Sequence, residues 1–417
     1  MSILKTTTSL AIALSTVSAT LLGTVPAASA STSKTLNVLM PVSPDTHALQ
    51  AAFPAFEKQT GIKINLTTVP QSQLAADMQL QVTTHAGTYD VAGYQYEDMP
   101  GYSKDLLPLG RYITAQDRKD FTSTGLRASS YGGRIYGLPY ELTMEVLFYR
   151  KDLLSAAHLS VPTTWTRFLA DAQRLTKPPV WGTIVEAQNT EEPVGMTLDY
   201  LYQAGGDILG PNNKVTIDSP AAVHALQFEV NLVKKYKVAP PNAASLSTLD
   251  IANLYQAGHL ALAPNWAYQW GESTAATSQY KSVTGVAPLP CDVKCGVSLG
   301  GWLLSAFKTT KNPAAAVEFI KYMTDTKTQL MMALTDGSQP TRYSVINNPK
   351  VKSIPLFRVM SKELAYGVSR TKYPAFPEIS SAVATAQSAA LSGQESPQAA
   401  LRAAAATIQQ SLSLAKG

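Results

Sequence analysis

YGGRIYGLPYELTMEVLFYRKDLL, from Tyr131 to Leu154, turns, extends, breaks and becomes apolar within one short span. Gly132-Gly133 opens it with a tight turn, since glycine reaches φ > 0 without steric cost. Ile135, Tyr136, Leu138 and Tyr140 then make an extended segment interrupted by Gly137 and Pro139. Pro139 has no N–H to give a ladder, so this segment does not belong in the middle of a sheet. Val146-Leu147-Phe148-Tyr149 follows as a short apolar run of the buried-strand type, and Arg150-Lys151-Asp152 leads into a helix. An extended crossing between two packed units explains this order better than an interior strand.

Upstream of it, Leu36 to Met40 reads as a compact apolar strand. A helix from Ala48 to Gln59 ends at Gly61, the residue suited to a left-handed cap. Ile62, Ile64, Leu66 and Val69 make a second strand, Gln73 to His85 a second helix, and Tyr89 to Ala92 a third strand. Strand–helix alternation of this kind implies a parallel α/β sheet. Downstream, Asp218-Ser219-Pro220 is an N-cap followed by proline at the first helical position. It starts a helix to about Tyr236. Asn312-Pro313 and Ser396-Pro397 start two more.

With these pieces in order, GGRIYGLPYE, LFYRKDLL and PTTWTRFLADAQRLT (Pro162 to Thr176) resemble the solute-binding proteins, extracellular family 1, that serve carbohydrate ABC importers. Ala257 to Leu262 is similar to that family's glycine-led strand, and Gly285 to Pro290 to its second lobe crossing. The resemblance implies a periplasmic-binding-protein-like fold of type II, two α/β lobes with a ligand cleft between them. It places residues 31–139 and 285–323 in the first lobe, and 140–284 and 324–417 in the second. Ligands of such sheets sit beyond the strand C-termini, in the crevice.

At 417 residues, 45% apolar and 15% charged, the chain has ample core material for two such lobes. The first 30 residues read as a secretory signal peptide. Lys5 is the lone charge, Leu10 to Leu22 the apolar stretch, and Ala28-Ser29-Ala30 the cleavage site before Ser31. With no cysteine at that site, a lipid anchor has no attachment point, and a periplasmic or secreted protein is expected. Cys291 and Cys295, both in the exported part, are expected to form a disulfide. The net charge of +5 is spread along the chain without a basic tract, so no nucleic-acid partner is expected.

Catalytic patterns fail one by one. Gly296 to Gly300 matches the G-x-S-x-G elbow, but a strand-like run follows it and no histidine lies downstream of Ser298. Glu141 and Glu145 do not by themselves make the carboxylate pair of a glycosidase. The five histidines, His47, His85, His158, His224 and His259, lack metal-ligand spacing. No cofactor, metal or enzymatic activity is expected.

Aromatic residues among small and polar ones remain. A sugar offers an apolar C–H face for a ring and a rim of hydroxyls for carboxylates, amides or arginine. The candidates for ligand contact are Trp302 with Gly301 before it, Trp266, Glu141, and Gln95, Tyr96 and Asp98 in the loop after the third strand. Trp270 is a weaker candidate, and Trp165 and Trp181 read as structural. Arg342, in a segment similar to the family's Pro-x-Arg element, either donates to hydroxyls or pairs with a carboxylate. The expected ligand is a carbohydrate or polyol, the protein partner the ABC importer's membrane permease, and the protein a monomer. The rival readings are a polyamine or other cationic-solute receptor, for which the Tyr94–Asp98 loop and Glu141 could serve an ammonium group, and a secreted glycoside hydrolase.

Overall fold

A near-continuous run of buried apolar residues, as expected of a parallel strand covered on both faces, sets the first sheet. In the computed structural model, which describes residues 35–370 and 375–414, β1 (Thr35–Pro41) carries the fully buried Leu36, Val38, Leu39 and Met40. It pairs in parallel with β2 (Lys63–Val69) on one side and β3 (Val91–Gln95) on the other. Gly61 ends the intervening helix at φ 72°, its N–H bonded to the Glu57 carbonyl. The region read as one helix is two, Pro44–Gln50 and Phe53–Thr60. Pro54 explains the break, because proline removes an intrahelical donor and is tolerated in a first turn. The signal-peptide reading lies outside the described residues.

The chain then makes a small hairpin, β4 (Ser130–Tyr131) and β5 (Arg134–Ile135), with Gly132 and Gly133 at φ 54° and 76°. Next comes β6 (Gly137–Thr143), whose one partner among the described strands is the later β-strand Val297–Ala306, with an isolated bridge from Leu142 to Gln339 on its other side. Trp302 lies opposite Glu141 and Leu303 opposite Pro139, so Tyr140 is the extra residue of a bulge. Pro139 therefore sits where the missing N–H does least harm. After Met144 the chain enters a different, three-stranded sheet through β7 (Glu145–Arg150). There β7 lies between β8 (Leu262–Trp266) and β9 (Thr284–Ala287).

The return is made by β10 (Val297–Ala306), every residue of which is buried. Its first half pairs in parallel with β11 (Gly367–Ser369), and its second half runs antiparallel to β3 and β6. Val297 and Leu299 pack into the core built on β7 and β8, whereas Trp302 to Phe307 pack into the core built on β1 and β3. The exchange between cores thus falls at Gly300-Gly301. A third cluster joins the helix Val194–Gln203 to the C-terminal helices Phe376–Ser392 and Pro397–Leu414.

Two of the three helix starts read from sequence carry side-chain caps: Ser219 accepts from the Ala222 N–H ahead of Pro220–Lys234, and Ser396 from the Ala399 N–H ahead of Pro397–Leu414. Asn312, ahead of Pro313–Met323, makes no side-chain cap bond, whereas Thr164 accepts from the Arg167 N–H ahead of Trp165–Leu175. Trp165 stacks on Phe228 at a centroid distance of 4.3 Å, a structural role. Cys291 and Cys295 are disulfide-bonded, in the loop that joins β9 to β10. Ser298 lies inside β10, and the strand runs on to Ala306 where the elbow pattern needs a helix to begin, so the pattern has no elbow geometry.

A Cβ on Gly301 would lie 2.6 Å from the Glu141 carbonyl oxygen and 2.9 Å from the Tyr96 ring. Gly301→Ala must therefore push β6 and Tyr96 apart, an overpacking that costs about 1–3 kcal/mol. Urea unfolding is expected to show a midpoint lowered accordingly. An unchanged midpoint would mean that β10 and β6 are not this close.

Candidate functional site

Two tryptophans mark the place where the sheets approach. Trp302 stands in β10 between Gln95 of β3 and Glu141 of β6, while Trp266 ends β8 opposite Glu145. Both line one cavity of about 100 Å³, together with Tyr268, Gly300, Gly301, Thr143 and Thr248. A water needs about 10–15 Å³ on this measure, so there is room for several hydroxyl-sized groups. Asp45, Gln71, Gln95, Glu191, Glu192 and Arg370 supply the charged and amide part of the wall.

Arg370 organises that wall. Its side chain is 3% exposed and forms ion pairs with Glu97 at 2.9 Å and Glu191 at 2.8 Å. It also donates to Gln95 Oε1 at 3.2 Å and to Ser298 Oγ at 3.2 Å. The guanidinium carbon lies 5.4 Å from the centre of the Trp266 ring, within cation–π range. Glu191 in turn accepts from the Nε2 atoms of Gln71 and Gln95, both at 2.9 Å. Gln71 and Gln95 flank the β1–β3 sheet, and Glu191 precedes the helix Val194–Gln203, so these bonds tie the two cores together across the cavity.

Asp45 brings a carboxyl to the opposite part of the wall. Burial pushes it up to about 6, partly offset by a hydrogen bond from Glu141. Glu141 itself is driven well above the usual carboxylate range by burial, with Asp45 and Asp336 nearby adding to the shift.

Of the residues singled out from sequence, Trp302, Trp266, Gln95 and Gly301 meet at this cavity. Asp98 faces an adjoining one. Tyr96 stands behind the wall, its hydroxyl donating to the Leu299 carbonyl and its ring against Gly301. Glu141 is also one layer back, reaching the cavity only through Asp45. Arg342 is elsewhere: it pairs with Asp117 at 3.3 Å and Asp120 at 3.1 Å, caps the Thr324 carbonyl and lies over Phe121. With its donors taken up by carboxylates, it stands as the carboxylate partner and does not reach the cavity wall. Trp270 is half-buried against the β7–β8 core and does not line the cavity.

Sequence reading missed Asp45, Glu191, Glu192 and Arg370. Asp45 had a signal: Ser43-Pro44 is an N-cap with proline at the first helical position, the same grammar as Ser219-Pro220. Starting that helix at Pro44 puts Asp45 in the first turn after β1, beyond the strand's C-terminus. Glu191 and Arg370 lie in loops with no local pattern to find. Among the described residues no group of three or more His, Cys, Asp or Glu is placed to hold a metal ion. No helix among them is long and apolar enough to cross a membrane.

This fold and cleft define a binding protein of the two-core α/β type, and the comparisons agree. The model of the bacterial extracellular solute-binding protein family matches residues 41–330, and the chain belongs to that family. A "Probable ABC transporter-binding protein" of Deinococcus radiodurans is 28% identical, over 87% of this chain and 89% of its own length. A mannitol-binding protein of Pseudomonas aeruginosa is 23% identical, covering 84% and 86%. Among solved structures, maltose-bound MalE3 of T. maritima superposes with a TM-score of 0.86 at 27% identity, covering 90% of this chain and 99% of that one.

The buried carboxyls set a pH dependence of stability. Burial raises Asp45 to about 6, Glu97 and Asp336 to about 7, and Glu229 and Glu363 to about 8. The folded state thus holds protons that the unfolded state has released. The stability they contribute is full below pH about 4 and is lost as pH rises through 6 to 8. Asp152 works the other way, since a hydrogen bond from Arg150 holds it below its usual range, and its contribution disappears in acid. The melting temperature is expected to be highest near pH 5 and to fall steadily toward pH 8.5. A rise over that interval would contradict these assignments.

Proposed function

We propose that the chain is an exported binding protein that captures a sugar or polyol in this cavity and delivers it to the membrane permease of an ABC importer. The carrying observation is the pairing of Trp302 and Trp266, one from each sheet, around a wall of carboxylates and amides. Rings accept the C–H face of a sugar, and the polar wall accepts its hydroxyls. The relatives support this ligand class, since those compared include a mannitol-binding protein and a maltose-bound structure. A ribitol complex shares the fold. Arg370 on the wall is already neutralised by Glu97 and Glu191, so the choice against a polyamine rests on the paired tryptophans and on the sugar and polyol ligands of the relatives.

Capture requires no chemistry. Two lobes are expected from sequence at 31–139 with 285–323 and 140–284 with 324–417. They exchange later in the chain on both passages, since β6 stays in the first sheet and β9 in the second, and they rotate about Met144 and Gly300-Gly301. Ligand that touches both lobes binds the closed form better and shifts the population to it. The protein acts as a monomer outside the cytoplasm, freed from its leader before Ser31.

A thermal-shift screen of sugars, polyols and polyamines tests the ligand class. The right ligand at 100 Kd is expected to add ~2.7 kcal/mol of stability. A polyamine as the only hit would replace this reading. Trp302→Ala and Trp266→Ala are each expected to weaken that ligand by at least the ~0.5–1.5 kcal/mol credited to an aromatic contact. Calorimetric titration reads the loss, and unchanged affinity in both would remove the rings from the site.

A further inference from the structure

The cavity that holds Trp302 does not end there. Gln71, Gln95, Glu191 and Trp302 also line a second space of about 230 Å³, more than twice the first. Its far wall comes from Asp98, Thr190, Phe376 and Ser380. Three of the residues the two spaces share are bonded to one another, the amides of Gln71 and Gln95 to the Glu191 carboxylate.

The second space has unmet polar demands. Ser380 is 1% exposed, and its Oγ has no hydrogen-bond partner among the described residues; Thr190 Oγ1 is buried and unpartnered as well. Buried hydroxyls are nearly always bonded, so two orphans on one cavity wall call for an occupant. Asp98 adds a carboxyl whose pKa burial, with Glu97 and Glu191 nearby, drives well above the usual range. Leu74 and Phe376 provide apolar surface beside them. An occupant that suits this wall carries hydroxyls, which both donate and accept, on an apolar frame.

We propose that the ligand is an oligosaccharide of at least two linked sugar units, one on either side of Trp302. This rests on the sugar or polyol reading above and gives it a length. The unit in the first space lies between Trp302 and Trp266. The second reaches Thr190, Ser380 and Asp98. The linkage passes the bar formed by Gln71, Gln95 and Glu191, and ligand hydroxyls replace the amide–carboxylate bonds that close it.

Calorimetry with glucose, galactose, xylose and arabinose, each beside its own di- and trisaccharide, and with mannitol, provides the test. One disaccharide is expected to bind at least ten-fold more tightly than its monosaccharide. Ser381→Trp, an exposed position on the rim of the second space, is expected to bring that disaccharide down to the monosaccharide's affinity. Thr190→Val, which keeps the shape and removes the hydroxyl, is expected to weaken the disaccharide alone. Melting curves without ligand confirm that both variants fold. A monosaccharide or mannitol that binds as tightly as any oligomer would overturn the proposal and leave the sugar or polyol reading standing. So would a disaccharide preference that Ser381→Trp does not touch. Failure of every saccharide and of mannitol would bring down both.

Discussion

The charge of Arg370 is the constraint around which the site is arranged. A guanidinium with 3% exposure is stable only if carboxylates and acceptors close around it, because its desolvation alone costs several kcal/mol. Its partners come from opposite directions: Glu97 follows β3 in one core, and Glu191 precedes a helix of the other. Satisfying one charge therefore draws both cores to the same point. The amides of Gln71 and Gln95 finish the arrangement by bonding to the carboxylate that Arg370 already holds. The wall shared by the two spaces and the link between the two cores both pass through this knot.

The second constraint is steric and lies in β10. A wholly buried strand that serves two cores must pass between them without side chains in the way. Gly300 and Gly301 provide that passage, and the next residue, Trp302, is the first able to fill space. The ring thus projects at the junction because the two residues before it cannot. The same logic explains why Tyr96 and Glu141 support the wall from behind: they occupy the room that Gly301 leaves.

Much of this was legible before any coordinates, and what was not has a physical reason. Strands β1 to β3 and β7, the caps at Ser219 and Ser396, and the turn at Gly132-Gly133 follow from local rules of periodicity, capping and φ. Pro139 betrayed an edge strand because a missing donor is a local fact with a topological consequence. Trp302 was legible from its glycines. Arg370 and Glu191 were not, since ion pairing across 179 residues leaves no trace in either neighbourhood. Arg342, which has the more suggestive sequence context, is consumed by Asp117 and Asp120, whose proximity is equally invisible in the chain. Asp45 was overlooked for a different reason. Its Ser-Pro cap was in plain view, and the apolar periodicity farther along the helix drew the boundary too late.

Closure of two lobes on a ligand that leaves unaltered is the central claim. Small-angle scattering of the unliganded protein and of the protein saturated with its best saccharide, with chromatography of the released sugar, tests it most directly. The account predicts a smaller radius of gyration with ligand and recovery of the same sugar. An unchanged radius, or a cleaved or otherwise altered sugar, would contradict it.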